Sequence, residues 1–334
     1  THTACVSAKR VGDRWHAVLR RADGSTVDVH ARSLVNAAGP WATSFLEGAL
    51  HHPAGKALRL VKGSHIIVKK MFDHPYAYIF QNPDGRIVFA IDYEHDFTLV
   101  GTTDLEYHGD TNKVEIDRTE IEYLCELTQR YFRKPITPAD VVWSYSGVRP
   151  LLEDDSANAS EITRDYKLAI EGDQAPLLSV FGGKITTFRK LAEEAVDMIA
   201  PKLGNHRPTW TEHACLPGGD LYGAPQNRAV LEYDAYVHRM QRQFAWLPPK
   251  LVARYVRAYG TRIHALLKDR HSITQMGEEL VKDLFAAEID YLVKYEWASS
   301  GADILWRRSK LGLHLPAGSE QLIDQWIDRT YKNN

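Results

Sequence analysis

The sequence is poor in the residues that build metal and disulfide sites. Its 334 residues include three cysteines, Cys5, Cys125 and Cys215, which lie far apart and form no C-x-x-C pair or cysteine–histidine cluster. Zinc sites and disulfide frameworks need such ligands at suitable spacing. The sequence therefore predicts no metal site, and its cysteine usage fits a reducing compartment.

Long apolar runs and a large net charge are also missing. No stretch of the sequence approaches the ~18 consecutive apolar residues that a membrane-spanning helix needs. Lysine and arginine total 41 against 43 aspartates and glutamates, so the net charge is −2. This balance argues against nucleic acid as an electrostatic partner, whereas contact with a membrane surface stays open.

The chain is long enough for two domains, and its character changes along its length. Alternating apolar residues in the first part predict strands at 3–9, 14–20, 26–30, 58–69, 76–80, 86–92 and 97–101. After a Gly- and Pro-rich stretch, helical periodicity predicts helices at 228–244, 249–268, 277–298 and 318–331. We therefore expect an α+β domain at 1–205, a linker at 206–225 and an all-α domain at 226–334.

One further helix is predicted inside the first domain. Apolar residues recur at helical spacing over residues 117–132, and Asp117 stands where an N-cap is expected.

A strand that runs into a helix through two glycines is the first candidate site. The stretch LLSVFGGKITTFRK (177–190) is apolar up to Gly182 and Gly183, then carries Lys184 and Thr186 at the start of a helix. Helix N-termini present unpaired N–H groups and bind anions or polar heterocycles. The P-loop pattern G-x-x-x-x-G-K-[ST] is not met. An ordinary helix start, with Thr186 or Thr187 as cap and Lys184 in solvent, is the alternative.

A second turn of the same kind is NAAGPW (36–41). It follows an apolar strand, places Pro40 at a plausible first helical position, and offers small residues that let a ligand approach the backbone.

Three polar residues lie within or at the ends of apolar strands: His65, Arg149 and Arg164. An unpaired guanidinium is costly there unless it meets an anion or a water-filled cleft. Taken singly, each arginine is compatible with an ion pair between domains, and His65 with a structural role. Taken with Lys184, they indicate one polar site at the strand ends.

An ordered set of motifs carries a family resemblance across nearly the whole chain. The motifs are LVNAAGPW, KGSHIIV, IVFAIDYEHDFTLVGTTDLEY, VVWSYSGVRPL, ITRDY, LLSVFGGKITTFRKLAE and AEIDYLVKYEWASSGADILWRRSKLGLHL. Together they resemble the FAD-dependent (aerobic, respiratory) glycerol-3-phosphate dehydrogenases of bacterial type. That family also carries an N-terminal G-x-G-x-x-G turn, which this sequence lacks. We therefore expect the chain to begin inside the FAD domain. Residues 1–205 are then a partial FAD- and substrate-binding domain, with an α/β remnant of the FAD domain and an antiparallel-sheet substrate domain, and residues 226–334 are the family's helical cap.

The resemblance implies roles for the residues singled out above. His65 is expected to be the base, Arg149 to orient the substrate at its C2 oxygen, and Arg164 to clamp its phosphate. Lys184 is expected to contact both substrate and flavin and to stabilise the reduced flavin. The remaining expectations are Thr186 at substrate and flavin, and Ala38, Gly39, Gly182, Gly183 and Ile185 at the flavin. The stretch GTTD (101–104) is expected on the substrate side; the alternative is that Thr102 and Asp104 only terminate a strand.

The resemblance also implies the reaction and its partners. We expect oxidation of sn-glycerol 3-phosphate to dihydroxyacetone phosphate with FAD, at a site that this sequence holds in part, and transfer of electrons to a membrane quinone. A homodimer in the cytoplasm, peripheral to the inner membrane, fits the family. Three alternatives stay open: a glycerophosphate oxidase that reduces oxygen, a fragment that binds glycerol phosphate without turnover, and a general anion-binding domain.

Overall fold

The structure is a computed structural model that describes residues 2–53, 58–152, 165–222 and 232–332. The chain divides into two units, Thr1–Thr211 and Glu212–Asn334.

The first unit begins with the predicted meander. Strands β1 (Thr3–Val11), β2 (Arg14–Arg21) and β3 (Thr26–Ala31) form an antiparallel sheet in that order. Trp15 is buried, and its indole N–H donates to the carbonyl of Ala175 at 3.0 Å. This contact ties the meander to the segment that precedes the last strand of the unit.

Strand β4 (Leu34–Asn36) leads into helix α1 (Ala42–Ala49) through a 3₁₀ turn at Gly39–Trp41. The sequence placed Pro40 at the first position of the helix. In the structure Pro40 lies inside the 3₁₀ turn, and α1 begins two residues later.

A larger antiparallel sheet follows. Its strands are β5 (Leu58–Lys69), β6 (Tyr78–Gln81), β7 (Ile87–Tyr93), β8 (Phe97–Gly101), β9 (Leu105–Glu106) and β10 (Val141–Leu152). The order is β10-β5-β8-β7-β6, and β9 pairs with β5. The predicted hairpin sheet is thus present, and β10 joins it as an edge strand that the sequence had not assigned to it.

Helix α2 (Arg118–Tyr131) covers one face of this sheet, and its buried side chains include Leu124 and Leu127. The predicted cap is present: the Asp117 carboxylate accepts from the Glu120 N–H at 2.9 Å, and Glu120 accepts from the Asp117 N–H at 3.0 Å. This reciprocal capping box fixes the start of α2 against the sheet.

A third sheet contains β11 (Tyr166–Glu171), β12 (Leu177–Gly182) and β4, in the order β11-β12-β4. Strand β12 pairs in parallel with β4 and is followed by helix α3 (Phe188–Ile199). Because the two strands run in the same direction, the turns that follow them lie at the same edge of the sheet. This is the α/β part that the sequence predicted.

The second unit contains helices α4 (Tyr233–Gln243), α5 (Pro249–Tyr259), α6 (Ile263–Leu266), α7 (Ala286–Glu296) and α8 (Ser319–Ile327). The prediction of an all-α domain is wrong at residues 279–285, where β13 (Glu279–Val281) and β14 (Leu284–Phe285) form a hairpin. Asp283 adopts a positive φ of 62° in its turn, which a continuous helix at 277–298 does not allow. Similarly, Gly260 ends α5 with φ 54° inside the predicted helix 249–268.

The core of the second unit contains an ion pair. Glu288 is fully buried, and its two carboxylate oxygens each lie 2.7 Å from a guanidinium nitrogen of Arg254. The Tyr259 hydroxyl donates to the same carboxylate at 2.6 Å.

Within the described ranges, no helix has the length and apolar character to cross a membrane, and no group of three or more histidine, cysteine, aspartate or glutamate side chains is arranged to hold a metal.

Candidate active site

The register between β5 and β10 places two predicted site residues on one face of the large sheet. Tyr145 pairs with His65, and Arg149 pairs with Val61. Ser64 points towards α2, since its hydroxyl donates to Glu120. Side chains alternate along a strand, so His65 lies on the face opposite α2, and Tyr145 and Arg149 share that face.

Arg149 is held by two residues of the segment that follows β8. Its guanidinium donates to the Asp104 carboxylate at 2.5 Å and to the Thr102 hydroxyl at 3.3 Å. About a third of the Arg149 side chain remains exposed (32%). Thr102 and Asp104, which the sequence assigned to the substrate side, thus lie beside Arg149.

Gly63 makes this arrangement possible. A Cβ atom at residue 63 would stand 2.5 Å from Nη2 of Arg149 and 2.7 Å from the Thr102 hydroxyl oxygen. A glycine inside a strand often marks such a close approach. Gly63 lies within the KGSHIIV motif, where no feature of the sequence marked it as a site residue.

His65 is partly buried and lies close to the positive charge of Arg149. Burial, together with the nearby positive charge of Arg149, lowers the pKa of His65 from 6.5 to about 4. Its ring stacks on Tyr145 with centroids 4.9 Å apart, and no described residue hydrogen-bonds to its buried Nδ1. The imidazole is therefore neutral near pH 7, and its Nδ1 is buried without a hydrogen-bond partner among the described residues.

Gly101 on β8 leaves room for that ring. A Cβ atom at residue 101 would lie 2.7 Å from Cγ and 2.9 Å from Nε2 of His65. Tyr145 was not singled out from the sequence, and Gly101 was included only as the first residue of GTTD. The sequence signal for Gly101 is a glycine at the end of an apolar strand.

The two glycines after β12 both adopt left-handed backbone conformations, with φ 74° at Gly182 and 101° at Gly183. A Cβ atom on Gly182 would lie 2.8 Å from the Asp165 carbonyl oxygen and 3.6 Å from that of Pro150. Gly182 therefore lies next to the residue that follows Arg149, so the mouth of α3 adjoins the end of β10.

Lys184, Ile185 and Thr186 are all exposed at this mouth, and Ile185 is 88% exposed although it is apolar. The Thr187 hydroxyl donates to the Lys184 carbonyl at 2.9 Å and makes no side-chain cap. Thr187 thus stands at the N-cap position of α3 without a side-chain cap bond, and Lys184 is exposed, as the alternative of an ordinary helix start expects.

The NAAGPW turn lies at the same edge of the third sheet. The buried Asn36 side chain donates to the Ala42 carbonyl at 2.9 Å and accepts from the Ala38 N–H at 3.4 Å, which fixes the turn. Gly39 has φ 56°, and the turn contacts β10 and β12. Ala38 and Gly39 thus lie on the same side of the unit as residues 182–186.

The structure therefore brings together most of the predicted site in two adjoining groups. His65 and Arg149 form one, and the two turns at the edge of the third sheet form the other. Among the described residues, no hydrogen bond or ion pair joins Lys184 to His65 or Arg149. Arg164, the predicted phosphate clamp, lies outside the described residues.

The second group fits a flavin. A flat ring with an apolar face and a polar pyrimidine edge suits the exposed Ile185 beside helix-start N–H groups, which lack partners within the helix. Trp41, 44% exposed on the neighbouring turn, adds apolar surface. These residues fit only the flavin ring of FAD. The pyrophosphate of a dinucleotide is held in such folds by a G-x-G-x-x-G turn, and this sequence contains no such motif.

The parallel strands β4 and β12 end at one edge of the third sheet, and in α/β folds dinucleotides bind at such carboxyl ends. Residues 1–189 match the family of FAD dependent oxidoreductases, and the chain belongs to this family. Residues 209–331 match the family described as the C-terminal domain of alpha-glycerophosphate oxidase.

Individual relatives agree with this assignment. The chain is 46% identical to a glycerol-3-phosphate dehydrogenase of Pseudomonas aeruginosa over 98% of its own length and 63% of that protein. It is 40% identical to a D-erythritol 1-phosphate dehydrogenase of Brucella abortus over 98% of its length and 64% of that protein. The chain thus spans less than two thirds of these relatives.

A solved structure shares the fold. The glycerol-3-phosphate dehydrogenase from Bacillus halodurans, complexed with FAD, superposes with a TM-score of 0.82 over 99% of this chain and 65% of its own, at 24% sequence identity.

Proposed function

We propose that this chain supplies the substrate-binding part of an FAD-dependent dehydrogenase that oxidises sn-glycerol 3-phosphate to dihydroxyacetone phosphate. The observation that carries the proposal is the neutral, partly buried His65, which shares one face of the large sheet with Arg149 and its partner Asp104. The family match and the name of the Pseudomonas relative supply the cofactor and the substrate.

The oxidation of a secondary alcohol removes a hydride from carbon and a proton from the hydroxyl. FAD, when bound, supplies the hydride acceptor. His65 would take the hydroxyl proton, since a base with a low pKa is unprotonated at neutral pH. Arg149, held by Asp104 and Thr102, would orient the C2 oxygen through a charge-assisted hydrogen bond.

The remaining residues would hold the two ends of the complex. Arg164 would bind the phosphate, an assignment that rests on the sequence. Lys184 and Thr186 would contact substrate and flavin at the mouth of α3. Ala38, Gly39, Gly182, Gly183 and Ile185 would hold the flavin ring, and all five lie on turns at one edge of the third sheet.

The proposal extends to partners. Quinone as electron acceptor, a homodimer, and attachment to the cytoplasmic side of the inner membrane follow from the resemblance to the respiratory enzymes. The oxidase alternative predicts that oxygen is the acceptor and that one peroxide forms for each molecule of substrate oxidised.

The test uses the complete protein with FAD bound. We expect glycerol 3-phosphate to reduce the flavin and a quinone analogue to reoxidise it, with little peroxide. D-erythritol 1-phosphate is the matched alternative substrate, because a relative with nearly the same identity is named for it. Faster flavin reduction by the longer polyol phosphate would overturn the choice of substrate, and reduction by neither compound would overturn the proposed function.

Two variants test the assigned roles. Arg164→Ala should raise KM for glycerol 3-phosphate far more than for unphosphorylated glycerol, because a hydrogen bond to a charged group contributes ~1.5–3 kcal/mol. Lys184→Met should slow flavin reduction without loss of folded protein. Equal effects of Arg164→Ala on both substrates contradict the phosphate clamp, and unchanged reduction kinetics in Lys184→Met remove Lys184 from the mechanism.

Purified chain 1–334 that keeps a flavin absorbance band through dialysis would argue against the non-catalytic alternative.

A further inference from the structure

A buried polar cluster lies behind the candidate active site, on the α2 side of the large sheet. It consists of Lys62, Ser64, Thr103, Glu120 and Ser146, and we call it the Glu120 cluster. Glu120 is 3% exposed, Thr103 1% and Ser64 0%. The rest of this face packs apolar side chains such as Ile66 and Val100 against Leu124 of α2.

Three members of the cluster contact Glu120 directly, and Ser146 joins it through the Ser64 hydroxyl at 2.8 Å. Its Oε1 accepts from the Ser64 hydroxyl at 2.9 Å and from the Thr103 hydroxyl at 2.7 Å. Its Oε2 lies 2.7 Å from Nζ of Lys62 and accepts from the Asp117 N–H. Both carboxylate oxygens are thus fully engaged, as a buried carboxylate requires.

One oxygen atom therefore joins two segments that carry the site. Ser64 immediately precedes His65 on β5. Thr103 stands between Thr102 and Asp104, the two residues that hold Arg149. The Thr103 hydroxyl also accepts from the Ser64 N–H at 2.9 Å, which closes a ring of hydrogen bonds between the segments.

A role in stability alone does not explain why these polar and charged groups are buried. Replacing a buried ion pair by apolar residues of similar volume is often neutral or stabilising, so such a pair is weak evidence for stability. Fully satisfied buried networks do, however, hold their members in one arrangement. The cluster is therefore suited to fixing geometry on the other face of the sheet.

We propose that Glu120 is a positioning residue of the active site: through Ser64 and Thr103 it fixes His65 relative to Arg149 and its partner Asp104. The inference rests on the proposed function for its catalytic consequence, and on geometry alone for the placement of His65. The charged and titratable groups near His65 include Arg149 and Tyr145 on β10 and Asp104 after β8. On the other face of the sheet, Lys62 pairs with Glu120.

The experiment compares Glu120→Gln, Thr103→Val and Thr103→Ser with a matched core variant, Leu124→Ala. Leu124 lies one turn along α2 in the same core and is fully buried, and it is not a member of the cluster. Leu124→Ala thus lowers stability without touching the hydrogen bonds. The first readout is the pH titration of the His65 ring, followed by NMR in histidine-labelled protein. The second is the steady-state rate of the complete FAD-containing protein.

We expect Glu120→Gln and Thr103→Val to move the His65 midpoint upward, because the Arg149 charge is no longer held beside the ring. Their kcat should fall roughly 10- to 100-fold, the scale set by a displacement of about 1 Å. Thr103→Ser keeps the hydroxyl and should restore both readouts. Leu124→Ala, compared at a temperature where it is equally folded, should leave the His65 midpoint and kcat unchanged.

Several outcomes decide against the proposal. An unchanged His65 midpoint and kcat in Thr103→Val overturns it even if Glu120→Gln does not fold. A matching change in Leu124→Ala reduces the cluster to a stability role. If the complete protein oxidises no polyol phosphate, the proposed function fails, but the NMR titration still decides whether Glu120 positions His65.

Discussion

Gly63 on β5 lies directly under the Arg149 guanidinium of β10, and a side chain at residue 63 would occupy the space of that guanidinium. A Cβ atom there would stand 2.5 Å from Nη2 and 2.8 Å from Nη1. Gly147, which pairs with Gly63 across the strands, has nothing within 4 Å of its Cβ position. The two glycines therefore differ in what an added methyl group would meet.

Gly63→Ala should displace Arg149 from Asp104 and destabilise the first unit. Overpacking of this kind costs about 1–3 kcal/mol. Gly147→Ala is the matched control, and its unfolding should be unchanged. Urea unfolding of both variants measures the difference. Equal stability of the two proteins would show that the Arg149 side chain moves aside at no cost.

Gly101→Ala should displace the His65 ring, because the added methyl group would lie 2.7 Å from Cγ. Stacking on Tyr145 limits how far the ring can move away. We expect flavin reduction by substrate in the complete protein to slow roughly 100-fold, as for a misplaced catalytic group. Gly48→Ala in α1, where the Cβ position is open, serves as control. A Gly101→Ala protein with unchanged reduction kinetics would exclude His65 as the base.

His65 should make stability depend on pH. Its pKa is lowered from 6.5 to about 4 by burial and by the charge of Arg149. Between these two pH values the unfolded chain binds more protons at His65 than the folded chain does. The contribution of neutral His65 to the free energy of unfolding is therefore complete above pH 6.5 and is lost as the pH falls towards 4. The loss amounts to about 3 kcal/mol. Urea unfolding between pH 4 and 7 measures it, and His65→Asn should remove that share of the pH dependence. An identical profile for both proteins contradicts the lowered pKa.

Arg254 should be essential to the second unit. Arg254→Ala leaves the fully buried Glu288 without its bidentate partner, and breaking a buried ion pair in this way costs about 3–5 kcal/mol. The double variant Arg254→Met with Glu288→Leu removes both charges and should recover much of the loss. Thermal unfolding of the single and double variants checks this. A double variant less stable than Arg254→Ala would contradict the account.

Local patterns in the sequence predicted much of the fold. The meander, the hairpin strands from residue 58 to 101, and α2 with its Asp117 cap all depend on alternation, turn residues or capping within a few positions. The second unit shows where this fails. The segment Glu279–Phe285 carries apolar residues that also suit a helix, and its hairpin depends on the turn at Asp283.

The candidate site divides in the same way. His65, Arg149 and Lys184 stand out in the sequence because charged or polar groups interrupt apolar strands or follow glycines. Tyr145, Gly63, Gly101 and Glu120 do not stand out, because each matters only through a partner on another strand or helix. The pairing of Tyr145 with His65 depends on the register of β10 on β5, which has no local signature.

The sequence by itself determined the types of chemical group that this protein offers and the family to which it belongs, since motif order and residue identity are properties of the chain. The tertiary structure alone decided which groups meet: the parallel pairing of β4 with β12 placed the two turns at one edge, and the β5–β10 register placed His65 beside Arg149. Such long-range pairings are chosen by burial and hydrogen bonding over the whole unit. No window of neighbouring residues contains that information.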